Sequence, residues 1–188
     1  MANRSFLVAN ASNTPAEFGE EGQLNYGEDE ILVAASYGVP VLWLVLFNEA
    51  DIRQHEIDGE TISSPVIETK LALERFKRRR SLLESTFSNY TMAIEEWSQL
   101  LNSLSEPHIK IDGIEIWEMG PEEYEEKLVA AIRWFETNDG NDFDQLLQVT
   151  GLPYDKASAS IESGSYAPET IHNGLRGYVW TRSVPWSD

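Results

Sequence analysis

The sequence predicts an α+β fold, mainly α-helical, in a single domain over residues 1–188, with helices packed on a small antiparallel sheet formed by the N-terminal, 109–117 and C-terminal segments. Three observations carry that expectation. Apolar residues recur at steps of three or four from Leu73 to Leu104, the spacing of a helix's buried stripe. Residues 109–117 alternate apolar and polar around Asp112-Gly113, the spacing of a strand. Hydrophobic residues make up 41% of the 188, with seven Phe, seven Tyr and six Trp, so the chain can bury a core despite its charge.

Taken in order, residues 3–10 read as a short strand, and residues 11–29, with Pro15, Gly19, Gly22 and Gly27, as a surface loop. The apolar runs 29–36 and 40–48 are too short for periodicity to assign. Helix is the preferred reading for both, jointed at Gly38-Val39-Pro40 with Pro40 in a first helical turn. Together Ile31 to Phe47 form 17 nearly uncharged residues, close to the lower limit for a membrane span. Gly38 and Pro40 in the middle, polar Ser36 and Tyr37, and acidic flanks (Glu28, Asp29, Glu30, Glu49, Asp51) favour a buried pair of core elements instead. Residues 49–64 read as a polar connection around Asp58-Gly59.

From Pro65 the pattern is helical, with Ser64 as N-cap. The stripe is Leu73, Phe76, Leu83, Phe87, Tyr90, Ile94, Trp97, Leu101 and Leu104, in phase once Arg80 is admitted to it. An unbroken helix of about 40 residues would run roughly 60 Å, so a break near Ser85–Asn89 and two antiparallel helices are expected. Pro107 ends the second. Ile109 to Trp117 is then a tight hairpin turning at Asp112-Gly113, or a single kinked strand. Pro121 opens a further helix, with Glu122, Glu123, Glu125 and Glu126 complementing its dipole and Tyr124, Leu128, Ala131, Ile132 and Phe135 as its buried face. Residues 142–149 read as a short helix closed by Gly151, residues 152–173 as irregular, and residues 177–184 as a final strand pairing with 3–10 or 109–117.

Charge is the chain's most distinctive property. It has 32 acidic residues against 14 basic ones, a net charge of −18. Six of the bases lie between Lys70 and Arg80, leaving −23 on the rest. Such a field repels nucleic acid and anionic membranes and attracts basic partners. On a helix, Lys77-Arg78-Arg79-Arg80 wraps more than one face and is expected to pair internally with acids of neighbouring elements. Arg80, on the apolar stripe, is the candidate for a buried or half-buried ion pair.

Motifs for chemistry are absent. With no cysteine there is no disulfide, thiolate metal site or Cys nucleophile. His55, His108 and His172 are isolated, no Ser lies in Gly-x-Ser-x-Gly, and the 12 glycines form no phosphate-binding loop. Asp139 to Asp144 echoes the start of a calcium loop, but Asp144 stands where a Gly is required and Thr150 where a bidentate Glu is required. No cofactor and no metal are expected. The N-terminus carries no long apolar segment of an export signal, which together with the absent cysteines points to the cytoplasm.

Asn3-Arg4-Ser5-Phe6-Leu7, Tyr37-Gly38-Val39-Pro40 leading to Leu46-Phe47-Asn48, and Trp186-Ser187-Asp188 resemble an uncharacterised bacterial family that opens Met-Ala-Asn-Arg-Ser-Tyr-Leu, with Phe6 here in place of the Tyr. The resemblance covers some 25 residues and implies an α-rich cytoplasmic bacterial protein. It transfers no catalytic residue.

In overall character the chain is similar to the immunity proteins of bacterial toxin systems. The expected function is therefore binding: neutralising a basic protein partner, a toxin domain such as a nuclease, without nucleic-acid or membrane binding and without catalysis. The candidate surface is Glu115, Glu118, Glu122, Glu123, Glu125, Glu126, Asp139, Asp142 and Asp144, with Trp186 as an aromatic anchor. The alternatives are a homo-oligomer that uses the helical stripe as its interface, and an enzyme whose pocket leaves no motif.

Overall fold

A computed structural model describes residues 4–14, 30–36, 38–57, 59–113, 116, 123–137 and 174–179. The described residues include six strands: β1 (Arg4–Asn10), β2 (Glu30–Ser36), β3 (Ile52–Ile57), β4 (Glu60–Glu68), β5 (His108–Asp112) and β6 (Tyr178–Val179). Among the described residues they are accompanied by the helices α1 (Val41–Leu44), α2 (Thr69–Thr86), α3 (Thr91–Ser103) and α4 (Tyr124–Thr137). The strands form one sheet in the order β3-β4-β5-β1-β2-β6, with every pairing antiparallel.

The sheet overturns the expectation of a mainly helical fold with a small sheet. Residues 30–36 are a strand rather than a helix: an apolar run of this length is also what a strand covered on both sides needs, and β1 and β6 take its two edges. Residues 49–64 are not a loop. After a 3-10 turn at Glu49–Asp51, β3 and β4 make a hairpin around Asp58-Gly59, where Gly59 takes the positive φ of +86°. The other Asp-Gly, at 112–113, closes no hairpin, because β1 and β4 already flank β5. The amide of Ile116 instead turns back to the Gly113 carbonyl at 3.0 Å.

Pro65 lies inside β4 opposite Ile52, so Ser64 is no helix cap; its hydroxyl donates to the Ile111 carbonyl at 2.8 Å. The helix starts at Thr69, whose amide and hydroxyl bond the Pro107 and Glu106 carbonyls. The C-terminal strand pairs with β2 rather than β1 or β5, since both edges of β1 are occupied.

Other expectations hold. Residues 4–10 form a strand, and it pairs with the segment at 109. The long stripe breaks where foreseen: α2 ends at Thr86, a 3-10 turn covers Ser88–Tyr90, and α3 folds back on α2 from Thr91. Tyr124, Leu128, Ala131, Ile132 and Phe135 are the buried face of α4, joined by Trp134. The short helix foreseen at 142–149 lies outside the described residues. No described helix is long and apolar enough to cross a membrane.

Paired strand residues share a face. One face of the sheet presents Leu7, Ala9, Val33, Ala35, Ile67, Ile109 and Ile111 to all four helices, in a single core. The opposite face carries Phe6, Val8, Ala34, Ile62 and Val66, buried but separate from that core. Lys110 and Asp112 lie on this second face at 2% and 3% exposure, and both are partnered. The alternation His-Ile-Lys-Ile-Asp in β5 therefore does not mark a wet face.

At the centre of the core sits the segment from Val39 to Phe47. Val39 and every residue from Val41 to Phe47 have no exposed surface. Its apolar side chains account for the burial, and its backbone then needs partners that water cannot supply. Within it, Trp43, Leu44 and Val45 donate back to Pro40 and Val41 carbonyls. The carbonyls at its end face α2. Arg79 donates to the Val45 and Phe47 carbonyls at 2.7 and 2.8 Å and to the Asn48 side chain. Arg75 reaches the Leu46 carbonyl at 3.4 Å and forms an ion pair with Asp51. At the other end the Ser5 hydroxyl donates to the Gly38 carbonyl at 2.6 Å, and the Trp43 indole donates to the Arg176 carbonyl at 2.8 Å.

Two expected outcomes test this arrangement by denaturant unfolding. Arg75→Ala leaves Asp51 facing a nearly closed site (side-chain exposures 8% and 13%) and is expected to cost about 3–5 kcal/mol. Arg80→Ala removes ion pairs that are 36% exposed on the arginine side and is expected to cost about 1 kcal/mol or less. Equal costs would mean that the contacts to the 45–51 segment are not special. Separately, Gly177 has φ +78°, and a Cβ there would lie 2.6 Å from the Ala34 carbonyl oxygen and 2.9 Å from Trp43 Cζ2. Gly177→Ala is expected to lower stability by about 1–3 kcal/mol and to perturb the Trp43 fluorescence.

Candidate functional site

The acidic candidates fall into two groups. Glu123, Glu125 and Glu126 lie at the start of α4, whose amphipathic sequence turns Tyr124 and Leu128 inward and these acids outward. Glu123 is exposed and pairs with Lys127 one turn on, at 3.4 Å. Glu125 is half-buried and accepts the Ser63 hydroxyl of β4. Glu126 is exposed. The structure thus brings three candidates together but engages two of them internally. Glu115, Glu118, Glu122, Asp139, Asp142, Asp144 and Trp186 lie outside the described residues, as does the calcium-like segment.

Five further described acids are also paired internally. Glu49 takes a bidentate bond from Arg133 at 2.7 and 2.9 Å, Asp51 holds Arg75, and Glu96 holds Arg176. Glu84 and Glu95 share Arg80 at 2.7 and 2.9 Å. Arg133's hydrogen bond holds the Glu49 carboxyl below its ordinary value, and Arg80's does the same for Glu95.

The charge of the whole chain therefore divides unevenly. The described residues carry 16 acidic and 12 basic side chains, whereas the other residues carry 16 acidic and only 2 basic ones. The surplus is −4 on the first set and −14 on the second. Residues 15–29, 114–115, 117–122 and 138–173 hold most of it, and six of the nine candidate acids are among them.

The basic cluster resolves into separate roles. Arg80 forms a part-buried pair with Glu84 and an exposed one with Glu95, so the ion pair expected of it lies near the surface. Arg79 bonds backbone rather than acids, and burial, with Arg75's charge beside it, pushes its guanidinium down to about 10. Lys77 and Arg78 are exposed. Sequence reasoning missed Arg75 and Arg79 as the residues that close the core. The signal was present: arginines one helical turn apart, beside a segment too apolar to meet water.

The described residues border an open groove and a much smaller space. The groove of about 470 Å³ lies where the start of α2 meets the end of α3, bordered by Lys70, Leu73, Leu104, Glu106 and His108. The smaller space, with room of about 10 Å³, lies between β4, β5 and α4 and is lined by His55, Ser63, Ser64, Asp112, Tyr124 and Leu128. The Tyr124 hydroxyl is buried there with no hydrogen-bond partner, and burial raises its pKa, so it stays a neutral phenol. The space is too small for a substrate. His55 and Asp112 reach it from β3 and β5, and His108 lies apart with Nδ1 at 3.2 Å from the Ala11 carbonyl oxygen; no group of three or more metal-ligating side chains occurs among the described residues.

No protein-family model, curated protein or solved structure matches the chain.

Glu49 links α4 to the segment that follows α1, and its depressed carboxyl fixes the sign of a pH effect. The pair's contribution is complete above the ordinary value of 4.5 and is lost as the pH falls through the lower folded-state value. Glu49→Gln is expected to be slightly less stable than the parent at pH 7, with the difference closing below pH 4.5 in thermal melts. A difference unchanged by pH would show that the ion pair contributes nothing.

Proposed function

We propose that this chain is an acidic binding protein whose partner is a basic macromolecule, in the manner of an immunity protein that neutralises a cationic toxin domain. The observation that carries the reading is the partition of charge. Among the described residues 16 acids meet 12 bases, and Glu49, Asp51, Glu84, Glu95, Glu96 and Glu123 are held in ion pairs, whereas the other residues carry a surplus of −14 with only two bases among them. Uncompensated charge of one sign speeds encounter with an oppositely charged surface and selects against acidic competitors. Glu115, Glu118, Glu122, Asp139, Asp142 and Asp144 are the acids through which the partner is held, and Trp186 is an aromatic contact.

The helical stripe favours this reading over an oligomer built on it. Phe76, Leu83, Phe87, Ile94, Trp97 and Leu101 are buried in the chain's own core, so most of the stripe is used within the chain and only Leu73, Tyr90 and Leu104 remain partly exposed.

The test is a comparison of two charge-neutralised variants against basic proteins of the native host, above all the product of any toxin-like neighbouring gene. Asp139→Asn, Asp142→Asn and Asp144→Asn together are expected to abolish binding, while Glu95→Gln with Glu96→Gln leaves it within about twofold. Affinity for the parent is expected to fall about tenfold or more between low and physiological salt. No basic partner at low salt, or equal weakening by both variants, contradicts the proposal.

A further inference from the structure

We infer that ionic strength controls the stability of this fold: in dilute buffer the chain's own charge works against compaction, and screening by salt relieves it. At pH 7 the chain carries −18 on 188 residues. A folded chain of that length has a radius of gyration of about 16 Å, against about 46 Å unfolded, so folding gathers those charges into a much smaller volume. Net charge far from zero destabilises the compact state through self-repulsion. At about 10 mM salt the Debye length is about 30 Å, and each charge on the folded chain feels the others. At about 150 mM it is about 8 Å, and most of that repulsion is screened.

Salt acts in the opposite sense on ion pairs, so magnitudes decide the sign. The pairs that Arg80, Lys127, Arg133 and Arg176 make with their glutamates are open to solvent, and each contributes little even before screening. Arg75 and Asp51 are nearly closed from water, where salt screens little. These pairs act singly, whereas self-repulsion grows as the square of the net charge. The surplus also comes in runs without counter-charge: residues 15–29 hold Glu17, Glu20, Glu21, Glu28 and Asp29 and no Lys or Arg. Repulsion therefore outweighs the ion pairs, and the fold gains stability as salt is added. A cationic partner that neutralises the same acids acts in the same direction, but the inference concerns the chain alone and is independent of the proposed binding function.

Thermal melts of the full chain at pH 7, in sodium chloride and in potassium chloride, test it. The melting temperature is expected to rise by about 5 °C or more between about 10 and 200 mM of either salt. Two variants move the charge in opposite directions. At about 10 mM salt, Glu20→Gln with Glu21→Gln is expected to melt above the parent, and Lys77→Gln with Arg78→Gln, which removes two exposed bases of α2, below it. Both differences are expected to vanish at about 1 M salt, where the Debye length is about 3 Å; a loss of packing would persist there. A melting temperature that is flat or falls with salt, a rise given by only one of the two cations, or variant differences unchanged at high salt would overturn the inference. Should either variant fail to fold, the salt series on the parent decides.

Discussion

The structure depends on burying a turn of backbone. The segment from Val39 to Phe47 is apolar enough to be driven wholly out of water, and a short helix in that position ends in carbonyls that nothing local can satisfy. Two arginines from α2 meet that requirement. A guanidinium has donors in a fixed fork and stays charged, so one side chain can bridge several carbonyls where a lysine offers a single point. Arg79 spans the Val45 and Phe47 carbonyls and Asn48, while Arg75 joins the Leu46 carbonyl to Asp51. The neighbouring elements are then fixed by the same segment: β1 through Ser5, α4 through Arg133, and the approach to β6 through the Trp43 indole and the tight fit of Gly177.

This constraint also organises the charge. Arg75 brings Asp51 with it into the core, and nearer the surface Glu84 and Glu95 share Arg80 while Glu96 holds Arg176. The described residues carry a net charge of −4, whereas the chain as a whole carries −18.

The sequence revealed the helical half of the fold better than the sheet. The stripe through Phe76, Leu83, Ile94 and Trp97 has a period only a helix satisfies, and the length of the stripe required the break that Phe87 makes. The strands were harder to see because they are covered on both faces. Val33 and Ala34 in β2 are both buried, so the run shows no alternation to separate strand from helix. In β5 the alternation was present but misleading, since Lys110 and Asp112 are as buried as Ile109 and Ile111. Two Asp-Gly pairs carried the same turn signal, and strand pairing, a non-local property, chose the one at Asp58-Gly59. Of the candidate site, the grouping of Glu123, Glu125 and Glu126 on α4 was legible; the Ser63 and Lys127 contacts that engage two of them were not. The Tyr124 space was illegible too, being made where three distant segments meet.

Native-state hydrogen exchange tests the central claim most directly. If the arginine-capped segment is the structure's fixed centre, the amides of Trp43 to Phe47 exchange only through global unfolding, with the same free energy and denaturant dependence as the slowest amides of α2. Exchange of those amides through a local opening, faster than α2 and insensitive to denaturant, would contradict it.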